Sequence, residues 1–370
     1  MPPTPQRPPD STSERTAARR STERERTKHK RVIRQQRLLA FGLLALLVGA
    51  VALTVVLAST GPAHTHASVT SSPAARRPRS VARPSSFAVG LRMLRLVDPS
   101  RTIQLPNGET EPRTLITYVR YPALGAAGLT DLPNAPAARS DGPFPLVVFG
   151  HGFALTPASY ARILQSWARA GYVVAAPAFP LENAEAPGGP DESDLTNQPA
   201  DMRFVISRMV AAGGAGSGPL AGLVDSTRIA VAGHSDGGDT ALAVAYNRSF
   251  RDSRVGAVIV LSGAEMPGVG GFTFPRGSPP LLATQGTADT VNPPSATNAF
   301  FDVAQRPKYL LNLLGAEHLP PYSDQQPQLA IVERVTLAFL DGYLKHRPGA
   351  PRRLVSLGKV PGTATMIAEP

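Results

Sequence analysis

The 370-residue chain contains no cysteine. This absence excludes a disulfide-stapled scaffold, a cysteine nucleophile and a metal site built from paired cysteines. Acidic residues are also comparatively few, since 27 Asp and Glu stand against 38 Lys and Arg. A basic excess is what nucleic-acid binding requires, so its position along the chain matters. With 42% apolar residues the chain is long enough to bury a sizeable core.

The basic excess is concentrated at the N-terminus. Residues 1–37 hold eleven Lys or Arg and four Asp or Glu, which leaves the rest of the chain close to neutral. This tail is rich in Pro, Ser, Thr and Arg and has almost no apolar residues, which predicts a disordered segment. The charge distribution therefore does not favour a nucleic-acid partner.

The longest apolar run, residues 38–58, has 21 residues and no charge. As a helix rising about 1.5 Å per residue it spans the roughly 30 Å core of a bilayer. Five Lys or Arg precede it at 28–37 and none follows before residue 76. The positive-inside rule then predicts a signal anchor in the cell membrane, a cytoplasmic N-terminus and an extracytoplasmic remainder. The alternative is a cleaved signal peptide, with Thr65 and Ala67 as a weak cleavage site and a secreted product.

The remaining sequence divides into a Pro/Ser/Ala/Arg linker at 59–86, a folded domain at 87–348 and a C-terminal tail at 349–370. Within 87–348, short apolar runs alternate with helical patterns, which is typical of an α/β fold. Predicted strands are Arg113–Tyr121, Pro145–Phe149, Tyr172–Ala176, Arg228–Ala232, Ala257–Leu261, Leu281–Thr284 and Tyr309–Leu314. Predicted helices are Thr156–Ala170, Gln198–Ala211, Asp236–Tyr246, Pro293–Val303 and Leu329–Lys345. Trp167 lies on the apolar stripe of the first helix and is predicted to be a core residue.

The segment RIAVAGHSDGG at 228–238 carries the clearest chemical signal. A buried strand leads into G-x-S-x-G and then into a helix, which is the context of a nucleophile elbow with Ser235 at the turn. Glycine is needed on both sides of such a sharp turn because a Cβ would collide with neighbouring backbone. An ordinary glycine-rich turn with a capping serine is the alternative.

This elbow resembles that of the α/β-hydrolase fold, which implies a mostly parallel central sheet flanked by helices. The family order is nucleophile, acid, base. QGTADTV at 285–291 resembles the acid loop and GAEH at 315–318 resembles the histidine loop, which implies Asp289 as the acid and His318 as the base. The other six histidines lie outside the domain, in other motifs or in the last helix. Only about twenty residues separate the strands at 257–261 and 281–284, so a large cap domain is not expected.

A serine esterase also needs hydrogen-bond donors for the oxyanion. FGHGF at 149–153 follows a predicted strand where the family keeps its oxyanion motif, which implies the backbone N–H groups of Phe153 and Asp236. His151 is interpreted as a structural hydrogen-bonding residue, and the Asp236 side chain as a favourable charge at a helix N-terminus. The residues expected to support these motifs are Gly150, His151, Gly152, Gly233, His234 and Gly237.

Residues 88–347 further resemble a secreted bacterial branch of chlorophyllase-like, platelet-activating-factor acetylhydrolase-like, dienelactone-hydrolase-like and cutinase-like polyester-hydrolysing enzymes. The resemblance rests on AVGLRMLRLVDPSR, RTLITYVRYPA, PFPLVVFGHGF, AGYVVAAPAFP and TNQPADMRFVISRM. Members mostly hydrolyse carboxylic esters, often of lipids. Ser235 replaces the cysteine of dienelactone hydrolase, and Asp236 replaces the amide or thioether side chain usual in polyester hydrolases, which argues against polyester as the substrate.

The sequence therefore predicts a carboxylic ester hydrolase that works through an acyl-enzyme on a Ser-His-Asp triad, with a small-molecule or lipid ester as substrate. No metal site and no organic cofactor are predicted. An acyltransferase on the same triad and a non-catalytic membrane-anchored binding domain are the alternatives. The loop Leu181–Asn197 is interpreted as solvated, because Asp191, Glu192 and Asp194 lack the spacing of a calcium loop. Neither the oligomeric state nor the acyl-chain length follows from any motif.

Overall fold

A computed structural model describes residues 86–370. The tail at 1–37, the predicted membrane segment at 38–58 and all but the last residue of the linker at 59–86 lie outside the described residues. Within 86–370, none of the helices combines the length and the apolar character that crossing a membrane would require.

The described residues form one ten-stranded sheet with the order β10-β9-β8-β7-β6-β4-β5-β2-β1-β3. Strands β5, β4, β6, β7, β8 and β9 run parallel to one another. The hairpin β1–β2 and the edge strand β10 pair antiparallel with this central part. The strands are β1 (Ala88–Gln104), β2 (Thr110–Ala123), β3 (Leu132–Pro133), β4 (Phe144–Gly150), β5 (Val173–Ala178), β6 (Val224–His234), β7 (Val255–Leu261), β8 (Leu281–Gly286), β9 (Lys308–Leu313) and β10 (Ala364–Glu369).

Helices lie in four of the five connections between consecutive parallel strands, whereas a loop joins β7 to β8. The described residues contain seven α-helices. They are α1 (Ala161–Arg169), α2 (Gln198–Gly214), α3 (Asp236–Tyr246), α4 (Pro294–Val303), α5 (Pro320–Ser323), α6 (Gln328–Tyr343) and α7 (Ala350–Leu357). Short 3₁₀ segments occupy Arg139–Asp141, Pro157–Tyr160 and Glu192–Asn197. The mostly parallel sheet with flanking helices confirms the predicted α/β-hydrolase fold class.

The core lies on both faces of the central strands. Every residue of β4 is buried, and so is every residue of β8, because helices cover both sides of the sheet. Trp167 of α1 is fully buried, and its Nε1 donates a hydrogen bond to Thr336 Oγ1 of α6 at 3.0 Å. This contact joins α1 to α6, and the prediction of Trp167 as a core residue is confirmed.

The folded region extends beyond the predicted boundary at residue 348. Residues 350–357 form α7, and residues 364–369 form β10, which pairs along its length with β9. This segment was predicted to be a tail because its apolar residues are few and are interrupted by charges. Their burial is instead one-sided: Leu354 and Met366 face the core while Arg352 and Arg353 are exposed.

The loop Leu181–Asn197 is less solvated than predicted. Asp194 is buried, and both of its oxygens accept hydrogen bonds from Arg113 of β2, at 2.9 and 2.7 Å. Asp201 of α2 accepts two more from the same guanidinium, at 2.7 and 2.6 Å. Asp194 therefore anchors the loop to the sheet, and the prediction was wrong for this residue because its partner lies 81 positions away.

Candidate active site

Four parallel strands end at one edge of the sheet, where ligands of open α/β sheets bind. The loop after β4 carries the predicted oxyanion motif, and the turn after β6 carries Ser235. Asp289 follows β8 and His318 follows β9. The topology therefore brings together segments that are up to 169 positions apart in the sequence, from Phe149 to His318.

Ser235 lies in the turn between β6 and α3 with φ 52° and ψ −125°, a conformation that L-residues rarely adopt. The turn is compact because glycines stand on both sides of it. A Cβ at Gly233 would overlap the carbonyl oxygen of Gly237, and a Cβ at Gly237 would overlap that of Gly150. The sequence thus adopts the strained strand-turn-helix geometry of a nucleophile elbow.

Asp289 and His318 form a hydrogen-bonded pair, with 2.7 Å between Asp289 Oδ2 and His318 Nδ1. The other carboxylate oxygen of Asp289 accepts the backbone N–H groups of Val291 and Asn292, each at 2.9 Å. These donors fix the position of the carboxylate, which in turn orients the imidazole and keeps its proton on Nδ1. Nε2 is then the ring atom available for proton transfer.

His234, the residue before Ser235, joins two loops of the site. Its Nε2 lies 3.0 Å from the carbonyl oxygen of His318, and its Nδ1 lies 2.7 Å from the hydroxyl of Tyr160. Since a carbonyl only accepts, Nε2 carries the proton and Nδ1 accepts from Tyr160. Burial, and then the proximity of His318, keeps the pKa of His234 well below its usual value, so the ring is neutral.

The loop after β4 is held by a second buried histidine. His151 donates from Nδ1 to the carbonyl of Gly152 at 2.9 Å, and its Nε2 accepts the N–H of Phe179 at 3.0 Å. Burial lowers the pKa of His151 to about 4, which matches a ring with one donor and one acceptor. The N–H of Gly152 also donates to the Tyr160 hydroxyl at 3.2 Å. This loop therefore has a fixed backbone, as oxyanion donors require.

The Asp236 side chain is not a solvated helix-terminal charge. It is buried at 2% exposure, and its carboxyl group faces the carboxyl group of Glu182, which is 0% exposed. The backbone N–H of Asp236 belongs to the first turn of α3, whose donors have no partner within the helix.

Glu182 and Tyr160 were not predicted to be residues of the site. Tyr160 was placed on an apolar helical stripe, and Glu182 in a polar loop without a motif. Gln285 was also overlooked: its Oε1 accepts from Thr297 Oγ1 at 2.6 Å, and its Nε2 donates to the carbonyl of Asn292 at 3.0 Å, which fixes the turn that holds Asp289. The sequence offers only one indication of their role, which is that each residue follows or flanks a predicted strand or elbow.

The comparisons with known proteins agree with this architecture. A family model described as chlorophyllase matches residues 134–265, a region that includes Phe153 and Ser235 but neither Asp289 nor His318. No curated protein sequence matches the chain. Among solved structures, a ferulic acid esterase from Streptomyces cinnamoneus is similar, with a TM-score of 0.55 and 25% sequence identity over 72% of this chain and 94% of that one.

The fold is that of an α/β hydrolase, and the family match and the structural match both point to a carboxylic ester hydrolase.

Proposed function

We propose that the chain is a serine esterase in which Ser235 is the nucleophile, His318 the general base and acid, and Asp289 the residue that orients His318. The observation that carries this proposal is the pairing of a strained serine elbow after β6 with the 2.7 Å contact between Asp289 and His318. A serine hydroxyl is a weak nucleophile near neutral pH, so a base held at its side is the chemical requirement.

The reaction proceeds in two halves. Ser235 Oγ attacks the ester carbonyl carbon while its proton passes to His318 Nε2, and the oxyanion accepts hydrogen bonds from the backbone N–H groups of Phe153 and Asp236. The C–O bond to the alcohol then breaks, and the alcohol leaves with the proton from His318. In the second half, His318 deprotonates a water molecule that attacks the acyl-enzyme, which releases the acid and regenerates Ser235.

The proposed substrates are small-molecule or lipid esters. The structural neighbour is named as a ferulic acid esterase, which supports adding an aromatic acyl ester to the substrates tested. Cleft shape determines chain-length preference, so substrates of graded acyl length belong in the same test.

The proposed location is the outer side of the cell membrane. Residues 38–58 are the proposed anchor, residues 59–86 the proposed linker, and the basic residues before them the proposed cytoplasmic tail. Protease added to intact cells is expected to remove the folded domain while leaving the anchored tail. A protein found in the culture medium and lacking residues 38–58 would instead support the cleaved signal peptide.

The test of the chemistry uses the full-length chain in mild detergent. Labelling by a fluorophosphonate and hydrolysis of p-nitrophenyl acetate, p-nitrophenyl octanoate and methyl ferulate are measured for the wild type, for Ser235→Ala and for Ser226→Ala. Ser226 is exposed on β6 and serves as the matched control. Ser235→Ala is expected to abolish labelling and to lower kcat by about 10⁴-fold or more, with Ser226→Ala unchanged.

Two results would contradict the proposal. If Ser235→Ala retains the turnover of the wild type, the nucleophile lies elsewhere. If the wild type labels at Ser235 but releases product only when an alcohol is supplied, the enzyme is an acyltransferase, since an alcohol then replaces water in the second half of the reaction.

A further inference from the structure

Glu182 is an acid buried without a cation. It lies in the loop after β5 at 0% exposure, and neither of its carboxyl oxygens accepts a hydrogen bond from any donor in residues 86–370. No ion pair of the described residues includes it. Its carboxyl group faces that of Asp236, whose Oδ2 is also buried without a hydrogen-bond donor among the described residues. The pair lies directly beside Ser235, because Asp236 is the next residue.

Two buried carboxyl groups in contact are stable only when one of them carries a proton. Two adjacent negative charges repel strongly in a medium of low dielectric constant, whereas a carboxylic acid donates a strong hydrogen bond to a carboxylate. Burial, and then the charge of Asp236, raises the pKa of Glu182 well above its usual value. The proton therefore resides mainly on Glu182.

The groups that face this pair add no positive charge. Asp194 and Glu192 lie on the acidic side of the loop and disfavour ionisation of Glu182. The Tyr160 hydroxyl also faces the pair, and burial raises its pKa, so it stays neutral. Arg113, the cation beside Asp194, already donates to both Asp194 and Asp201.

The backbone of Glu182 is bonded to the other half of the site. Its carbonyl oxygen accepts the N–H of Ala154 at 3.0 Å, and Ala154 has the positive φ of 55° that turns the chain directly after Phe153. Three residues closer to β5, the N–H of Phe179 donates to Nε2 of His151, which lies in the same loop as Phe153. Glu182 thus contacts the Phe153 loop through its backbone and Asp236 through its side chain.

We propose that Glu182 is a positioning residue for the oxyanion hole, because it shares one proton with Asp236 and thereby fixes the distance between the two backbone donors, Phe153 N–H and Asp236 N–H. This inference rests on the proposed function, which assigns those two donors. Loss of the shared proton at alkaline pH places two negative charges side by side, which separates the loop from the elbow and weakens stabilisation of the transition state. The substrate does not touch Glu182, so KM is affected less than kcat.

The test measures kcat and KM for p-nitrophenyl acetate from pH 6 to pH 10 with the full-length chain in detergent, after subtraction of the uncatalysed rate. The variants are Glu182→Gln, Glu182→Ala and the matched control Glu185→Gln, which changes an exposed acid of the same loop. The glutamine amide donates to Asp236 at every pH, so Glu182→Gln is expected to retain neutral activity and to lose the alkaline fall in kcat. Glu182→Ala is expected to lower kcat about 10- to 100-fold across the range, the effect of misplacing reacting groups.

A second measurement does not depend on turnover. The infrared spectrum of the wild type at neutral pH is expected to contain the C=O stretch of a protonated carboxylic acid that is absent from Glu182→Gln and present in Glu185→Gln. An unchanged alkaline limb in Glu182→Gln, or the same infrared band in wild type and Glu182→Gln, would overturn the inference. A wild type that shows the band but neither labels nor hydrolyses any ester would overturn the proposed function while leaving the shared proton in place.

Discussion

The buried acids beside Arg113 and the buried groups around Ser235 are stabilised in opposite ways. Asp194 and Asp201 each accept two hydrogen bonds from one guanidinium, so their charges are compensated within 3 Å. Around Ser235, the buried titratable groups His151, His234, Tyr160 and Glu182 have pKa values shifted toward their neutral forms by burial. The two regions are neighbours, since Asp194 and Glu182 belong to the same loop.

The difference reflects what each region has to do. A buried ion pair stabilises a fixed structure only when both partners are present. A reaction site has to respond to charge that appears only in the transition state, on the substrate oxygen and on His318. Oriented neutral dipoles can stabilise this developing charge by hydrogen bonding. A fixed cation or anion would instead already be paired with its own counter-charge. Two carboxylates are exceptions: that of Asp236 shares the proton of Glu182, and that of Asp289 orients the base.

The largest expected effect comes from removing the charge of Asp289. Asp289→Asn is expected to lower kcat by about 10⁴-fold, because the amide no longer favours the imidazole with its proton on Nδ1 or stabilises the imidazolium. The measurement is steady-state hydrolysis of p-nitrophenyl acetate, with Asp302→Asn on the exposed surface of α4 as the control. A fall of less than tenfold would show that another group orients His318.

The next largest effect comes from removing the guanidinium of Arg113, which pairs with Asp194 and Asp201. Arg113→Met leaves Asp194 and Asp201 buried without their cation, which is expected to lower the free energy of unfolding by about 3–5 kcal/mol. The check is urea unfolding followed by circular dichroism. Arg254→Met, which removes a more exposed pair with Asp252, is expected to cost less than about 1 kcal/mol. Equal losses in the two variants would contradict the distinction between the regions.

The smallest expected effect concerns His151, one of the buried neutral groups around Ser235, and the pH dependence of stability. The pKa of His151 is about 4 in the folded protein and about 6.5 in an unfolded chain, so the unfolded state binds more protons between these values. Stability from this group is present above pH 6.5 and is lost as the pH falls toward 4. From pH 7 to pH 5 the free energy of unfolding is expected to fall by about 2 kcal/mol on account of His151.

The matched variants for this prediction are His151→Gln and His346→Gln. Glutamine can still donate to Gly152 and accept from Phe179, so His151→Gln is expected to reduce the acid loss by that amount. His346→Gln changes an exposed histidine and serves as the control. Identical pH dependence in wild type and His151→Gln would show that the ring is not buried in its neutral form.

The central strands and the elbow helix could be predicted because their signals are local. The helix Asp236–Tyr246 has the predicted bounds, and β4, β7 and the C-terminal half of β6 are largely apolar on both faces. The first strand, β1, was not predicted as a strand, since its residues mix exposed arginines with apolar ones and its register shifts between Asp98 and Thr102. The final strand, β10, was not predicted because it is stabilised by pairing with β9 and its own composition is not typical of a strand.

The site divides in the same manner. Ser235, Asp289 and His318 each follow a recognisable strand, so sequence could nominate them, and their catalytic roles stay predictions. Glu182 and Tyr160 could not be nominated, because their contacts join residues 54 and 74 positions apart in the printed sequence and depend on burial that no local pattern encodes. Long-range contacts between polar residues are therefore where the structure added most.

Trp167 gives the folded domain a built-in optical reporter. It is the one tryptophan in the 370 residues, it is fully buried, and its indole N–H is bonded to Thr336. Its fluorescence emission should therefore be blue-shifted in the native state and should move to longer wavelength when α1 separates from α6. Because no second tryptophan contributes, unfolding of this domain can be followed in the intact chain without a label, even while residues 1–85 remain attached.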